Sequence, residues 1–97
     1  MNPLKLAIFG CGDFLRWQAD DLENSKSVAV ASLYDPDSER AAKFAERLGG
    51  KVVSDPDTVF ADPEIDAVLL FVPPWVRKDL FLKAAAAGKH IIATKPF

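Results

Sequence analysis

The sequence has very little of the side-chain chemistry that forms disulfides or binds structural metals. It contains one cysteine, Cys11, and one histidine, His90. A single cysteine cannot form a disulfide within the chain, and the lack of a second cysteine or histidine leaves a structural zinc site short of ligands. We therefore expect no metal site in this chain.

Long apolar segments and an excess of positive charge are missing as well. The longest uninterrupted apolar run, residues 67–74, is far shorter than the roughly 20 residues that cross a bilayer. Residues 1–5 lack the order of charged, apolar and small residues that makes a secretory signal. The net charge of -2 has the wrong sign for a nucleic-acid-binding surface. These absences predict a cytoplasmic protein that binds neither membranes nor nucleic acids.

The composition is that of a globular protein. Of the 97 residues, 49% are hydrophobic and 27% are charged, which excludes a disordered tail and a collagen-like repeat. The length suits one compact unit and not two, so we expect a single domain over residues 1–97.

Short apolar runs alternate along the chain with segments of helical spacing. This alternation favours a doubly wound parallel sheet in three α/β/α layers, with right-handed crossovers. The predicted strands cover residues 4–9, 27–34, 51–54, 66–72 and 89–93. The predicted helices cover about 13–24, 37–48 and 75–87, and residues 55–57 open a brief helical turn that runs to about residue 61.

A glycine loop lies where such a sheet binds its ligands. Gly10 and Gly12 follow the first strand directly and precede the first helix. The first glycine of this pattern allows a tight turn, the second lets the backbone approach a pyrophosphate, and the helix N-terminus favours negative charge. Asp35 ends the second strand 25 positions after Gly10, close to the ~20-residue interval expected of an acid that receives ribose hydroxyls. Because a carboxylate repels a 2'-phosphate, these features predict a dinucleotide site that prefers NAD to NADP.

Four residues of this region admit more than one interpretation. Leu15 occupies the third fingerprint position, where glycine or alanine normally allows close helix–strand packing, so we expect the helix to shift outward or the side chain to point elsewhere. Asp13 stabilises a helix start but would repel a pyrophosphate, which predicts weaker cofactor binding. Cys11 is either a reactive thiol at a helix N-terminus or a small buried side chain, and burial is the more common case. Asp35 could also serve only to begin the turn before Pro36.

Five short stretches together resemble the nucleotide-binding half of the glucose-fructose oxidoreductase / inositol dehydrogenase (Gfo/Idh/MocA) family. They are residues 7–12, 35–37, 72–74, 87–91 and 94–97. The resemblance implies a Rossmann fold and an NAD(P)-dependent oxidoreductase that acts on a hydroxyl or carbonyl group of a sugar, polyol or similar small molecule. It implies Lys95 as the catalytic residue. The cofactor-binding residues that it implies are Gly10, Cys11, Gly12, Asp13, Phe14, Asp35, Val72, Pro73 and Lys95.

The chain departs from the family pattern in two residues and in length. Thr94 stands where the family's Glu-Lys-Pro signature has glutamate, and Arg77 stands where a histidine often follows the fourth strand. Family enzymes continue into a substrate domain that carries acid–base residues. We therefore expect this chain to be a truncated piece of an oxidoreductase and to be catalytically incomplete by itself.

The residues alone leave two other functions possible, and they also predict self-association. The fold could serve as a non-catalytic interaction module, or the stretch 72–75 could belong to an S-adenosylmethionine methyltransferase. Val72 argues against the methyltransferase because it offers no polar group to a target amine. Ile91 and Ile92 are expected on an exposed sheet edge, which predicts a homo-oligomer.

Overall fold

The computed structural model describes residues 3–93. Nine elements follow one another in strict strand–helix alternation. They are β1 (Leu4–Phe9), α1 (Asp13–Asn24), β2 (Val28–Tyr34), α2 (Ser38–Leu48), β3 (Lys51–Val52), α3 (Pro56–Ala61), β4 (Ala67–Leu70), α4 (Pro74–Ala86) and β5 (His90–Ala93). All strand pairs are parallel, and the strand order is β3-β2-β1-β4-β5. The predicted doubly wound sheet is thereby confirmed.

The central strand β1 divides the core into two layers. Leu6 and Ile8 face a cluster that includes Leu15 of α1 and Ala41 of α2. Ala7 and Phe9 face the opposite cluster, which contains residues of α3 and α4. Successive side chains of a strand point to opposite faces, so a strand buried on both sides is apolar at every position. This explains the nearly continuous apolar run of β1.

The helix ends are marked by local sequence. Asp37 precedes α2 and its carboxylate accepts a hydrogen bond from the Glu39 amide at 3.1 Å. Asp55 caps α3 in the same way through the Asp57 amide at 3.0 Å. These are N-caps, which satisfy amide groups that have no partner inside the helix. Gly49 ends α2 with a φ of 80°, as a helix-terminating glycine should.

Three predictions about elements need correction. β3 ends at Val52 and not at residue 54. β4 covers Ala67–Leu70 and is shorter than residues 66–72 at both ends; just before it, the Asp66 carboxylate accepts a hydrogen bond from the Lys5 amide at 2.9 Å.

The helical spacing of Val76, Leu80, Ala84 and Ala87 predicts a buried apolar stripe on α4, and only half of this stripe is buried. Leu80 and Ala84 are buried, whereas Val76 is 40% exposed and Ala87 lies past the helix end. Within residues 3–93, no helix is both long and apolar enough to cross a membrane.

Candidate dinucleotide-binding site

The carboxyl ends of β1, β2 and β4 meet at one edge of the sheet. The Gly10 amide donates to the carbonyl of Tyr34 at 2.9 Å, and the Phe71 amide donates to the carbonyl of Phe9 at 2.8 Å. The end of β1 is thus held between the ends of its two neighbours. In parallel sheets with helices on both faces, ligands bind at this edge, where the strand order reverses.

Gly10 is required by the closeness of the neighbouring strand. Its φ is 97°, and a Cβ atom at this position would lie 2.2 Å from the carbonyl oxygen of Phe71. The Val72 side chain is also near, at 3.2 Å from the same point. No other amino acid fits here without moving backbone, so this glycine positions the loop between β1 and α1.

Gly12 has a different environment. It precedes α1 with an ordinary φ of -101°, and a Cβ atom added to it would meet nothing within 4 Å. The first amide groups of any helix lack partners inside the helix and favour a negative charge in front of them. The open space before Gly12 therefore fits a phosphate group that approaches the backbone closely.

Asp35 is hydrogen-bonded to the glycine loop itself. One carboxylate oxygen accepts from the Cys11 amide at 2.7 Å, and the other accepts from the Asp37 amide at 2.8 Å. Each carboxylate oxygen can accept two hydrogen bonds, so both oxygens retain capacity for a hydroxyl donor. The turn before Pro36 and the contact with the loop are both present, and neither prevents Asp35 from receiving ribose hydroxyls.

Cys11 is a buried part of the core. Its side chain is only 1% exposed, and its sulfur lies 3.8 Å from the carbonyl oxygen of Tyr34. Burial, followed by the negative charge of Asp35, raises the pKa of the thiol to about 12. A thiol with this pKa stays protonated near neutral pH, and a protonated thiol is a poor nucleophile. The interpretation as a small buried side chain therefore holds.

Leu15, which stands where the fingerprint has glycine or alanine, packs in the apolar core. The side chain is fully buried and belongs to the same apolar cluster as Cys11 and Leu33. Asp13 and Phe14 begin α1 next to the open space at Gly12.

Val72 and Pro73 lie on the other side of β1 from Asp35. Val72 is half-buried beside Gly10. The carbonyl of Pro73 accepts hydrogen bonds from the amides of Val76 and Arg77, both at 3.0 Å, and so begins α4. The site residues 10–14, 35, 72 and 73 therefore share one edge of the sheet, whereas Lys95 lies outside the described residues. Among residues 3–93, no group of three metal-ligating side chains could hold a metal ion.

A pocket lined by basic side chains lies beside this site, and the sequence does not predict it. We call it the basic pocket. Its volume is about 250 Å³, and its lining is Cys11, Gly12, Arg16, Arg40, Lys43 and Phe44. Arg16 lies one helical turn after Gly12, and Arg40 and Lys43 lie one turn apart on α2. This spacing was visible in the sequence, but nothing there brings α1 and α2 together.

Comparison with known proteins finds the same family that the sequence motifs resemble. A family model described as an oxidoreductase family with an NAD-binding Rossmann fold, Gfo/Idh/MocA, matches residues 4–97. A scyllo-inositol 2-dehydrogenase (NAD(+)) of Bacillus subtilis is 36% identical over 97 residues, which cover 98% of this chain and 28% of that protein.

Solved structures of a reductase and a dehydrogenase resemble the fold of this chain. A 3-ketoreductase from Actinomadura kijaniata, solved with NADP and TDP-benzene, is 30% identical with a TM-score of 0.86 and covers 98% of this chain and 30% of its own. A myo-inositol dehydrogenase from Corynebacterium glutamicum is 30% identical with a TM-score of 0.87, covering 97% of this chain and 28% of its own. The chain spans 25% to 29% of the length of three curated relatives.

Proposed function

Because the chain belongs to the Gfo/Idh/MocA oxidoreductase family and has its NAD(P)-binding Rossmann fold, we propose that residues 10–14, Asp35, Val72 and Pro73 bind the dinucleotide of a dehydrogenase or reductase. The observation that carries this proposal is the open space before Gly12, beside a carboxylate that is hydrogen-bonded to the same loop. The relatives named above favour a sugar, a polyol or a similar small molecule as the substrate.

Each residue has a physical role in this proposal. The backbone at Gly12 and the start of α1 hold the pyrophosphate. Asp35 accepts hydrogen bonds from the adenosine ribose hydroxyls. Its two hydrogen bonds from backbone amides leave further acceptor sites for them. Val72 and Pro73 then lie on the side of the nicotinamide half, across β1 from Asp35. The nicotinamide ring supplies hydride transfer, and the protein supplies binding and orientation.

Lys95 is the catalytic residue in this proposal, on the family resemblance of its Lys-Pro step. A neutral lysine amine beside the reacting carbon can accept the proton of the substrate hydroxyl during oxidation, and the resulting ammonium can return it during reduction. We expect Lys95→Ala to abolish most of the turnover of an enzyme that contains this domain, while NAD(P) affinity and the melting temperature stay near those of the parent. Unchanged turnover would remove Lys95 from the mechanism.

The two glycines provide the test of cofactor binding. We expect Gly12→Ala to fold, because its φ is ordinary and the space around it is open, but to lose NAD(P) affinity by about tenfold or more. Gly10→Ala should unfold the domain at a lower temperature, because its Cβ would strike the Phe71 carbonyl. Calorimetric titration with NAD, NADP and S-adenosylmethionine measures binding, and circular dichroism measures folding.

Three outcomes of that titration would contradict the proposal. Binding of S-adenosylmethionine alone would favour the methyltransferase, and failure of all three ligands to bind would favour a non-catalytic interaction module. Equal NAD(P) affinity in the parent and in Gly12→Ala would show that the pyrophosphate does not lie at this loop.

Asp35 also favours NAD over NADP in this proposal, because its carboxylate repels a 2'-phosphate. We expect Asp35→Ser combined with Pro36→Arg to raise the affinity for NADP relative to NAD. An unchanged ratio would contradict this role of Asp35. Relatives and neighbours are named with both cofactors, NAD(+) for the Bacillus subtilis dehydrogenase and NADP for the Actinomadura kijaniata reductase.

A further inference from the structure

Another cavity lies on the face of the sheet that α3 and α4 cover, toward the amino ends of the strands. Its volume is about 240 Å³, and we call it the sheet pocket. Lys5 lines it five positions before Gly10, which is roughly 16 Å along a strand. The sheet pocket is therefore separate from the dinucleotide site. Its lining also includes Ala29, Ala31, Ser32, Lys51, Asp62 and Glu64.

An irregularity in β2 shapes the floor of the sheet pocket. Leu6 of β1 pairs with Val30. The next residue of β1 pairs with Ser32, so Ala31 is an extra residue in β2. Such a β-bulge leaves the extra residue outside the regular pairing and re-aims side chains. Ala31 and Ser32 are neighbours in sequence, yet both line the pocket, and their small side chains leave space above the sheet.

Gly50 brings the edge strand close to this bulge. Its φ is 88°, and a Cβ atom at this position would lie 2.9 Å from the carbonyl oxygen of Val30 and 3.2 Å from that of Ala31. Any side chain here would push the edge strand away, so glycine allows the close approach. Lys51 follows directly as the first residue of β3, and this contact fixes its backbone at the rim of the pocket.

The rim carries two cations and two acids. Lys5 and Glu64 form a loose ion pair at 4.0 Å between exposed side chains. The carboxylate of Asp62 accepts a hydrogen bond from the Glu64 amide at 2.9 Å. Within residues 3–93, neither this carboxylate nor the ammonium of Lys51 has an ion-pair partner. One positive and one negative group therefore line the same small cavity without neutralising each other.

A small zwitterion matches this arrangement. Its carboxylate pairs with Lys51 and its ammonium pairs with Asp62, while an apolar side chain packs on the alanine floor. A ligand with one charge would gain one of these pairs and meet the repulsion of the group of its own sign. The volume is below the range of pockets for drug-sized ligands and suits a molecule as small as an amino acid.

We propose that the sheet pocket binds an α-amino acid with a small apolar side chain, in its zwitterionic form. The hydroxyl of Ser32, which is 2% exposed, adds a polar group that can donate or accept at the floor. Because Lys51 is exposed to water, the binding is weak, with a dissociation constant of about 1 mM. The inference does not depend on the proposed function, since no step of it requires a dinucleotide.

The probe is L-valine, with two analogues as matched controls. 3-Methylbutanoate has the same side chain without the ammonium, and isobutylamine has it without the carboxylate. Each is titrated into the isotope-labelled chain, and the backbone amide signals are followed by NMR. We expect L-valine to shift the amides of residues 29–32 and 51 in a saturable way, and either analogue to bind about fivefold more weakly or worse.

A pair of double variants tests the charges. Lys51→Gln with Asp62→Asn removes both unpaired charges and keeps an oxygen for the Glu64 amide, and it should weaken L-valine binding by about tenfold. Lys26→Gln with Asp21→Asn removes one exposed charge of each sign away from the pocket. This control should change the affinity by less than about twofold.

Ala29→Leu tests the cavity itself, because leucine fills the floor and keeps every charge. We expect it to abolish L-valine binding, and circular dichroism checks the folding of every variant. Equal binding of L-valine and either analogue, shifts confined to residues 10–14, or no saturable shift at about ten times the expected dissociation constant would each overturn the inference. Failure of the same samples to bind NAD(P) would contradict the proposed function alone.

Discussion

Gly10 and Gly12 belong to one short motif, yet they are glycine for different reasons. Gly10 lies against the Phe71 carbonyl, and Gly12 faces open space. The sequence predicts the loop, its place after β1 and the acid at the end of β2. It cannot predict which glycine is structural, because the contact comes from a residue far away in the chain. The basic pocket was missed for the same reason, since it forms only when α1 and α2 pack side by side.

Cys11 carries a prediction at the scale of one residue. Its folded pKa of about 12 exceeds the ordinary value of 9.0, so the folded protein keeps a proton that the unfolded chain releases first. The stability that this group contributes is present below about pH 9 and is lost as the pH rises toward about 12. We expect the parent to lose stability over this range more steeply than Cys11→Ala does.

Alkylation provides the direct measurement. Native protein at pH 8 should react with iodoacetamide far more slowly than protein unfolded in urea, as followed by mass spectrometry. Rapid labelling of native protein, or parallel stability profiles for the parent and Cys11→Ala, would contradict the burial of this thiol.

At the scale of elements, side chains that come later in the chain form hydrogen bonds near the ends of earlier helices and strands. Lys89 precedes β5, and its ammonium donates to the carbonyls of Asp62 and Ile65, each at 2.7 Å. These carbonyls flank the turn between α3 and β4. The alternation of strands and helices was readable from periodicity, but the short β4 and the half-exposed face of α4 were not. Both depend on which neighbours cover those residues.

Lys89 and Lys83 allow a matched comparison. We expect Lys89→Ala to lower the free energy of unfolding by about 2 kcal/mol, because it removes charged hydrogen bonds to two partly buried carbonyls. Lys83→Ala removes an exposed ion pair with Asp57, which solvent screens, and should lower the free energy of unfolding far less than Lys89→Ala does. Urea unfolding followed by circular dichroism measures both, and equal losses would show that Lys89 has no special role.

At the scale of the whole molecule, apolar side chains are exposed on β5 and on the neighbouring helix α4. In the sheet formed by residues 3–93, β5 is an edge strand, and Ile92 on it is 50% exposed. Ile91, expected to be exposed as well, instead packs partly against the cluster beneath α4. Trp75 and Leu82 of α4 are 83% and 56% exposed. Unpaired apolar edges are templates for pairing with another chain.

Self-association follows as a prediction for this edge. We expect the protein to form a dimer at about 100 μM, a concentration that would largely populate even a μM-range contact. Ile92→Lys should shift it toward monomer, whereas Val52→Lys on the opposite edge strand should not. Light scattering coupled to size exclusion measures the mass, with circular dichroism as the control for folding. A monomeric parent at this concentration would contradict the prediction.

The central position of β1 means that one of its neighbours is synthesised well after it. β1 is made early but pairs with β4, and its Lys5 amide bonds to a carboxylate 61 positions later. At about 5–20 residues per second, a ribosome needs ~3–12 s to make that interval. During this delay one side of an almost wholly apolar strand has no partner. We expect nascent chains to need protection by a chaperone over these seconds, and refolding to be limited by the β1–β4 pairing.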